Sequence, residues 1–347
     1  MLGILARSMF VATRTSPLET RQHGRECHLA PQGEINKEPV TLKERRQHMP
    51  PTSHQQKLDV FTQLHHAPGA FLMPNAWDAG TARILEGLGF PALATTSAGL
   101  AFSMGLRDSS GSLSRRQVLD NARSIVDATS LPVSADLEDG FGASPDDVAQ
   151  TVREAGEIGL CGGTIEDSTG DPSNPIFDLE LAVDRIRAAV EAKPSKQFLI
   201  TARAENYVYS RPDLGDTIRR LKAFEQAGAD VVYAPGLPDI QCVQQVCAAV
   251  TVPVNVVVGL SAATYSVNDL SKAGVRRIST GGSLARAALG EMIRAATELK
   301  EHGTYDYAEK AISDASAAGQ MRTGVRRALT PNRQMKASKS GANAPSD

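Results

Sequence analysis

Three acidic residues follow a short apolar segment in the middle of the chain, within the sequence VSADLEDGFG. Asp136, Glu138 and Asp139 are these acids, and a glycine follows them. Alternate side chains of a β-strand share a face, so Asp136 and Glu138 are expected to point the same way. Two neighbouring carboxylates repel each other, and a divalent cation with oxygen ligands, Mg²⁺ or else Mn²⁺, would offset that repulsion. A solvated strand end with a glycine turn is the alternative reading of this segment.

The composition is that of an ordinary globular protein, with 347 residues, 41% of them hydrophobic, 22% charged, and a formal net charge of −2. This near-neutral charge argues against nucleic acid or an anionic membrane as a partner. The four cysteines form no C-x-x-C pair, which favours a reducing compartment, and we expect a cytoplasmic protein. No apolar run approaches the roughly 20 residues that span a bilayer.

The two ends of the chain lack the hydrophobic periodicity of the rest. We predict that residues 1–57 form an irregular, disordered extension and that the functional chain begins at Met49. The basic, hydroxyl-rich opening is also similar to an organellar transit peptide, which leaves import into an organelle as the alternative. Residues 321–347 are rich in Ser, Ala, Lys and Arg and are expected to form a disordered tail.

Between the ends, short apolar segments alternate with amphipathic ones. Eight strands are predicted, at residues 71–77, 92–97, 133–139, 163–167, 198–205, 231–235, 254–259 and 276–281. Helices are predicted between them, for example at residues 114–129, 144–158, 179–192, 213–227 and 240–250. Strands that are apolar on both faces and alternate with helices indicate a parallel sheet covered by helices, and eight such units predict a (β/α)₈ barrel over residues 58–320. A doubly wound open sheet is the alternative, weakened because no G-x-G-x-x-G follows the first strand.

Polar residues gather at the predicted carboxyl ends of these strands, where barrel enzymes place their active sites. Glu166 ends the fourth strand, Arg203 and Glu205 end the fifth, and Asn255 lies on the seventh. No histidine falls between residues 71 and 300 and no lysine ends a strand, which argues against a His-based zinc site and a Schiff-base enzyme. The type of site that remains is a metal ion held by carboxylates, together with one arginine. Such a site polarises a 2-oxo acid and stabilises an enolate.

Several segments in barrel order resemble the isocitrate lyase / phosphoenolpyruvate mutase superfamily, namely LMPNAWD, TTSAGL, ADLEDGFG, IED, TAR, PVNV and SLARAALG. The resemblance covers most of residues 61–307. It implies a TIM-type barrel, Mg²⁺, a small-molecule carboxylate substrate and a homo-oligomer, either a tetramer or a dimer. A C-terminal helix, predicted here at residues 305–318, would cross to a neighbouring subunit.

The resemblance also implies roles for individual residues. Asp136 would ligate the metal most directly, and the further acids of the metal site would be Glu138, Glu166 and Asp108. The residues implied to bind substrate are Thr96, Ser97, Ala98, Arg203 and Asn255. The residues implied to be catalytic are Arg203, Glu205 and Asp108.

The chain departs from the subclasses of this superfamily in its gate segments. The K-[KR]-C-G-H motif of the lyases is absent, and Cys161 precedes the fourth strand and so cannot replace the cysteine of that motif. The lysine of the mutases is missing from the predicted mobile lid at residues 168–177. We therefore expect a Mg²⁺-dependent lyase or decarboxylase acting at a C–C bond of a small 2-oxo or 2-hydroxy dicarboxylate. Retro-aldol cleavage would require a base, either Glu205 or a tyrosine such as Tyr207. A phosphonopyruvate mutase or hydrolase is one alternative, and a barrel that binds a dicarboxylate without turnover is another.

Overall fold

Strands and helices alternate along the chain, and each strand is parallel to its neighbours in the sheet. The structure is a computed structural model and describes residues 53–108, 111–260 and 265–321. These residues all belong to the unit Pro50–Asp347. The predictions for residues 1–48 and for most of the C-terminal tail lie outside the described residues.

The described part of the chain contains nine strands, which form one parallel sheet in the order β1-β9-β8-β7-β6-β5-β4-β3-β2. Their bounds are β1 Phe71–Met73, β2 Asn75–Ala76, β3 Leu93–Thr95, β4 Val133–Asp136, β5 Gly162–Glu166, β6 Leu199–Arg203, β7 Val231–Tyr233, β8 Val254–Val257 and β9 Arg277–Ser279. The ninth strand arises because Pro74 interrupts the first predicted strand. β1 pairs with β9 and β2 pairs with β3, so the two halves of that segment join the sheet ends into a barrel. The prediction of a TIM-type barrel is confirmed.

Helices cover the outside of this barrel. Their bounds are α1 His54–His66, α2 Ala79–Gly87, α3 Ser97–Ser103, α4 Arg115–Ala128, α5 Pro145–Glu157, α6 Leu179–Glu191, α7 Leu214–Gln226, α8 Ile240–Ala249, α9 Val267–Lys272, α10 Ser283–His302 and α11 Asp314–Gln320. A 3₁₀ helix, Asp306–Glu309, lies between the last two. No helix among the described residues is both long and apolar enough to span a membrane.

The helix starts follow local capping chemistry. The Ser144 hydroxyl accepts from the backbone N–H of Asp147, the Asp147 carboxylate accepts from that of Ser144, and Pro145 occupies the first turn of α5. Ser114 and Gln117 form the same reciprocal arrangement at α4. These reciprocal capping bonds satisfy backbone N–H donors that the first helical turn leaves unpaired. This explains why the two helices start close to the predicted positions.

The amino end of the barrel is closed by α1, which buries Leu58, Phe61 and His65. Phe61 packs beside Gly162, where an added Cβ would lie only 2.5 Å from the Leu199 carbonyl oxygen. A glycine is needed there because the β6 backbone comes so close. Residues 54–57, predicted to be irregular, belong to α1, since the Ser53 capping box starts the helix at His54.

The predicted helix at residues 305–318 is also corrected by the structure. The segment divides into the 3₁₀ helix Asp306–Glu309 and the short helix α11, separated by Lys310–Ser313. Ser313 accepts from the backbone N–H of Ser316 and acts as a new N-cap, which is why the second helix starts there.

Candidate functional site

The carboxyl ends of β4, β5 and β6 bring together the charged residues that could carry chemistry. Asp136 is the last residue of β4, Glu166 of β5 and Arg203 of β6, and the register pairs Glu166 with Arg203 across the two strands. These ends open into a cavity of about 540 Å³. Its lining residues are Ser97, Asp108, Glu138, Glu166, Gly170, Asp171, Pro172, Pro175, Arg203, Glu205, Val208 and Tyr209. Five of them are acids and one is a cation, so the cavity is strongly acidic.

Asp136 is held in place by the start of α3. Its Oδ2 accepts from the Ser97 hydroxyl at 2.9 Å and from the Ser97 backbone N–H at 3.2 Å. The Asp136 backbone N–H donates to the Thr95 hydroxyl at 2.9 Å. These bonds fix the orientation of the Asp136 carboxylate at the barrel mouth.

Glu138 reaches the acidic cavity by a different route from the one predicted. β4 ends at Asp136, so the strand alternation that was to align Asp136 with Glu138 does not extend this far. Glu138 instead lies in a turn, at a φ of 48° in the left-handed region. Burial, together with repulsion from Asp136 and Glu166, raises the pKa of Glu138 to about 8. A nearby cation would reverse this shift because it would favour the carboxylate.

Glu166 and Asp108 complete the group of acids. Glu166 accepts from the Ser168 hydroxyl at 2.6 Å and contacts Arg203 Nη1 at 3.0 Å. Burial raises the pKa of Glu166 although Arg203 opposes that shift. Burial also raises the pKa of Asp108, and repulsion from Asp136 adds to it. Burial and the charges of neighbouring acids therefore raise the pKa values of Glu138, Glu166 and Asp108 together.

Arg203 forms a forked ion pair with Glu205. Its Nε donates to Glu205 Oε1 and its Nη2 donates to Glu205 Oε2 at 3.2 Å. Burial lowers the pKa of Arg203, but Glu205 and Glu166 raise it by more, so it lies well above its usual value. Burial raises the pKa of Glu205, while the charge of Arg203 acts to lower it and favours the carboxylate. The guanidinium is therefore a fixed, permanent charge at the mouth.

A second ion pair, between Asp167 and Arg220, is linked to the first through Glu205. Asp167 accepts from the backbone N–H of Glu205 at 2.8 Å and from Arg220 Nη1 at 3.1 Å. Arg220 also donates to the carbonyl oxygen of Phe177 at 2.8 Å. This network ties the β6 end to the segment that follows β5, and so holds Glu205 against Arg203.

Four of the predicted substrate-binding residues, Thr96, Ser97, Ala98 and Asn255, contact other parts of the protein in the structure. The Ser97 N–H, expected to face a substrate carboxylate, donates to Asp136, while the Thr96 hydroxyl caps the Gly99 N–H at 3.3 Å. Ala98 lies beside Gly282, where an added Cβ would approach the Ala98 Cβ to 3.1 Å. Asn255 is buried inside the barrel and bonds Ser279 and Arg277, away from the acidic cavity.

The tyrosine that lines the acidic cavity is Tyr209, not Tyr207. The backbone N–H of Tyr209 donates to the Glu205 carbonyl oxygen at 3.2 Å, and this turn carries Tyr209 over the mouth. Tyr207 packs instead against Gly236, where an added Cβ would lie 3.1 Å from the Tyr207 Cβ. Burial, with the charge of Glu166, raises the pKa of Tyr209, which keeps its phenol protonated at neutral pH.

The predicted lid at residues 168–177 crosses the cavity as a short antiparallel loop. Ser168 and Ile176 form an antiparallel bridge, and the Thr169 N–H donates to the Pro175 carbonyl oxygen at 3.0 Å. Gly170, Asp171 and Pro172 lie on its cavity side. The loop adds a carboxylate to the cavity and supplies no lysine.

The acids at the mouth suit a divalent cation that keeps several bound waters better than a cation enclosed entirely by protein ligands. Within the described ranges, no three acidic, histidine or cysteine side chains converge closely enough to enclose an ion. Mg²⁺ typically uses only one or two carboxylates and keeps several waters, so this oxygen-only set suits it. Burial and neighbouring acids raise the pKa values of Glu138 and Asp108, and a divalent cation placed among them would oppose that rise.

The protein is a TIM-type barrel whose mouth carries several acids and one fixed arginine, Arg203. Barrel enzymes place their active sites at this end of the strands. A family model described as phosphoenolpyruvate phosphomutase matches residues 61–300. The chain belongs to this family, within the isocitrate lyase / phosphoenolpyruvate mutase superfamily that the sequence resembled.

Individual relatives agree with this placement. A crystal structure described as a candidate lyase/mutase from Burkholderia cenocepacia is 49% identical, has a TM-score of 0.75, and covers 77% of this chain and 96% of its own. The 2-methylisocitrate lyase of Escherichia coli is 34% identical over 184 residues, which are 51% of this chain and 61% of that protein. Oxaloacetate decarboxylase 1 of Pseudomonas putida is 27% identical over 246 residues, 70% of this chain and 84% of that protein.

Proposed function

We propose that this protein is a Mg²⁺-dependent lyase that cleaves a C–C bond in a small 2-oxo or 2-hydroxy dicarboxylate. Decarboxylation of an oxaloacetate-like acid is the leading reaction, and cleavage of a substituted malate is the second. The observation that carries the proposal is the single fixed guanidinium of Arg203 among the five acids of the cavity. A dianionic substrate can enter such a cavity only if further positive charge accompanies it, which a divalent cation supplies.

The cation would be held mainly by Asp136, whose carboxylate Ser97 already orients. Glu138, Glu166 and Asp108 would act on it through its bound waters, since the described side chains form no closed cage. When bound, the ion supplies a Lewis acid that polarises the 2-oxo group and stabilises an enolate. Mn²⁺ has the same preference for oxygen ligands and is expected to substitute.

Arg203 would orient the substrate carboxylate. A guanidinium has five N–H donors, and the contacts to Glu205 and Glu166 use three of them. The two that remain, one on each terminal nitrogen, match the paired oxygens of a carboxylate. Because Glu205 fixes the fork, little side-chain entropy is lost when the substrate binds.

Tyr209 would supply the proton that ends the reaction. Loss of carbon dioxide from a 2-oxo dicarboxylate leaves an enolate, whose carbon must take up a proton. The Tyr209 phenol lines the same cavity and is protonated at neutral pH, since burial and Glu166 raise its pKa. Decarboxylation requires no separate base, which suits a cavity that has no histidine among its lining residues.

We also propose that the chain assembles as a homo-oligomer, a tetramer or a dimer. α10 is 20 residues long, and Ala285 is its one buried residue in the described structure. Met292 and Ile293 on this helix are 61% and 60% exposed. An apolar helical surface of this kind is typical of a subunit interface.

The test is an assay of the purified full chain with four acids, each in Mg²⁺ and in excess chelator. Oxaloacetate, 2-methylisocitrate, 2,3-dimethylmalate and phosphonopyruvate represent decarboxylation, two retro-aldol cleavages and phosphonate chemistry. We expect Mg²⁺-dependent pyruvate from oxaloacetate or a retro-aldol product from one of the malate derivatives. Turnover of phosphonopyruvate alone would replace the proposal by the mutase or hydrolase alternative. Binding of all four without turnover would leave a non-catalytic barrel.

A further inference from the structure

A buried cation without a charged partner lies inside the barrel, below the acidic cavity. Arg277 begins β9 and is 2% exposed. Its Nε donates to Asn255 Oδ1 and its Nη2 to the Thr201 hydroxyl, each at 2.8 Å, while its Nη1 lies 3.4 Å from His65 Nε2. These are neutral acceptors, because burial and the charge of Arg277 lower the pKa of His65 to about 3.

The charge of Arg277 is therefore uncompensated within the described residues. Burial lowers the pKa of Arg277 to about 9, and the single group that opposes this shift is the Tyr233 phenol, so the guanidinium is still protonated at neutral pH. Arg203 and Arg220, by contrast, pair directly with carboxylates, while the buried Arg185 donates to the carbonyl oxygens of Gly142 and Asp139. An unpaired buried charge costs several kcal/mol, on the order of the whole stability of a domain.

A small cavity adjoins this guanidinium. Its volume is about 50 Å³, several times the ~10–15 Å³ that one water needs. Besides Arg277, its wall carries the polar groups of Asn255, Ser279, Thr164 and Ser134. Arg203 and Asp136 line it at the end nearer the barrel mouth.

We propose that this cavity is a binding site for a small monovalent inorganic anion such as chloride. Two of the five N–H donors of Arg277 have no partner in the described part of the chain. These two donors are available to bind an anion. Hydroxyl and amide donors of Ser279, Thr164 and Asn255 complete a polar shell. Water would accept hydrogen bonds from these donors but would leave the charge of Arg277 unbalanced. An anion accepts the hydrogen bonds and also balances the charge. This cavity adjoins the acidic cavity and shares Arg203 with it, but binding of an anion beside Arg277 does not depend on the proposed reaction.

The direct test is crystallography of the wild-type full chain with bromide in place of chloride. Bromide scatters anomalously, so its position is identified without a variant. We expect one anomalous peak in the interior cavity, within hydrogen-bonding distance of the Arg277 guanidinium. Water-like density without an anomalous peak would overturn the proposal.

The second test measures thermal stability at constant ionic strength, with chloride replaced by gluconate, which is too large for the cavity. We expect the wild-type melting temperature to rise by about 2–4 °C between chloride-free buffer and about 100 mM chloride, saturably. Arg277→Met removes the charge and should abolish the rise, while Arg116→Met, at a side chain 89% exposed, should keep it. A rise of equal size in Arg277→Met would contradict the site, and so would its absence in the wild type. If Arg277→Met does not fold, the bromide experiment decides.

Discussion

Arg203 donates through Nε and Nη2 to both carboxylate oxygens of Glu205, a residue only two positions along the chain. The same guanidinium contacts Glu166 on the neighbouring strand at 3.0 Å. One arginine thus links the two strand ends and presents its remaining donors to the cavity. The structural role of Arg203 and its proposed substrate role are distinguished by different measurements.

Arg203→Lys keeps the charge but loses the fork that Glu205 and a substrate carboxylate share. We expect kcat/KM to fall about 100-fold, a loss of roughly 3 kcal/mol in transition-state stabilisation. We also expect a lower melting temperature, since Glu205 loses a paired donor. Arg219→Lys, at an exposed arginine on α7, is the matched control and should change neither quantity. Normal turnover per folded molecule with a lower melting temperature would reduce Arg203 to a structural role.

Tyr209→Phe removes the phenol proton and leaves the ring. The expected result is a fall in kcat of about 10²-fold with little change in KM or melting temperature, in line with loss of a general acid. Tyr207→Phe is the matched control, because Tyr207 packs on Gly236 outside the cavity. Equal kcat values for the two variants would exclude Tyr209 as the proton donor.

The barrel and three of its mouth residues could be predicted from sequence because they follow regular periodicity. Asp136, Glu166 and Arg203 each end a strand, and a strand end is readable from the apolar run before it. The positions of Glu138 and Tyr209 could not be predicted in this way. Glu138 lies in a turn with positive φ, and Tyr209 follows a tight turn closed by its own N–H. Loop residues have no periodicity from which a side-chain direction can be derived.

His65 was missed for a related reason. His65 precedes the barrel in sequence and lies on α1, which closes the amino end of the barrel. Its Nδ1 bonds the Phe61 carbonyl oxygen at 2.8 Å. Amphipathic periodicity in so short a helix does not reveal which neighbour a buried polar side chain meets. His65 lies outside the histidine-free stretch of residues 71–300, and it contacts the barrel interior through Arg277.

Acid should destabilise the fold through His65. Its pKa is 6.5 in the unfolded chain and about 3 in the folded one, chiefly because burial disfavours the charged form. The stabilisation is thus complete above pH 6.5 and is lost as the pH falls towards 3, at about 1.4 kcal/mol per pH unit. His65→Gln should flatten the dependence of the unfolding free energy on pH by one proton, and exposed His66→Gln should not. Identical slopes for wild type and His65→Gln would refute this assignment.

Truncation tests the predicted boundary of the functional chain. A chain starting at Met49 retains Ser53, which caps α1, and we expect unchanged melting temperature and turnover. A chain starting at Ala67 lacks Leu58, Phe61 and His65 and should not fold, since the barrel floor loses its cover. Loss of soluble protein from the first truncation would show that the earlier residues are part of the fold.

We propose that carboxylates at the barrel mouth hold a divalent cation that the reaction requires. The most direct measurement is the rate of oxaloacetate decarboxylation against free Mg²⁺, above the metal-only blank, for wild type, Asp136→Ala and the exposed control Asp146→Ala. We predict saturable Mg²⁺ dependence for wild type and the control. Asp136→Ala should fall to the blank while it keeps a folded-state melting transition, because it removes a mouth carboxylate and no core contact. Near-normal turnover of Asp136→Ala in Mg²⁺, or full wild-type turnover in chelator, would contradict the account.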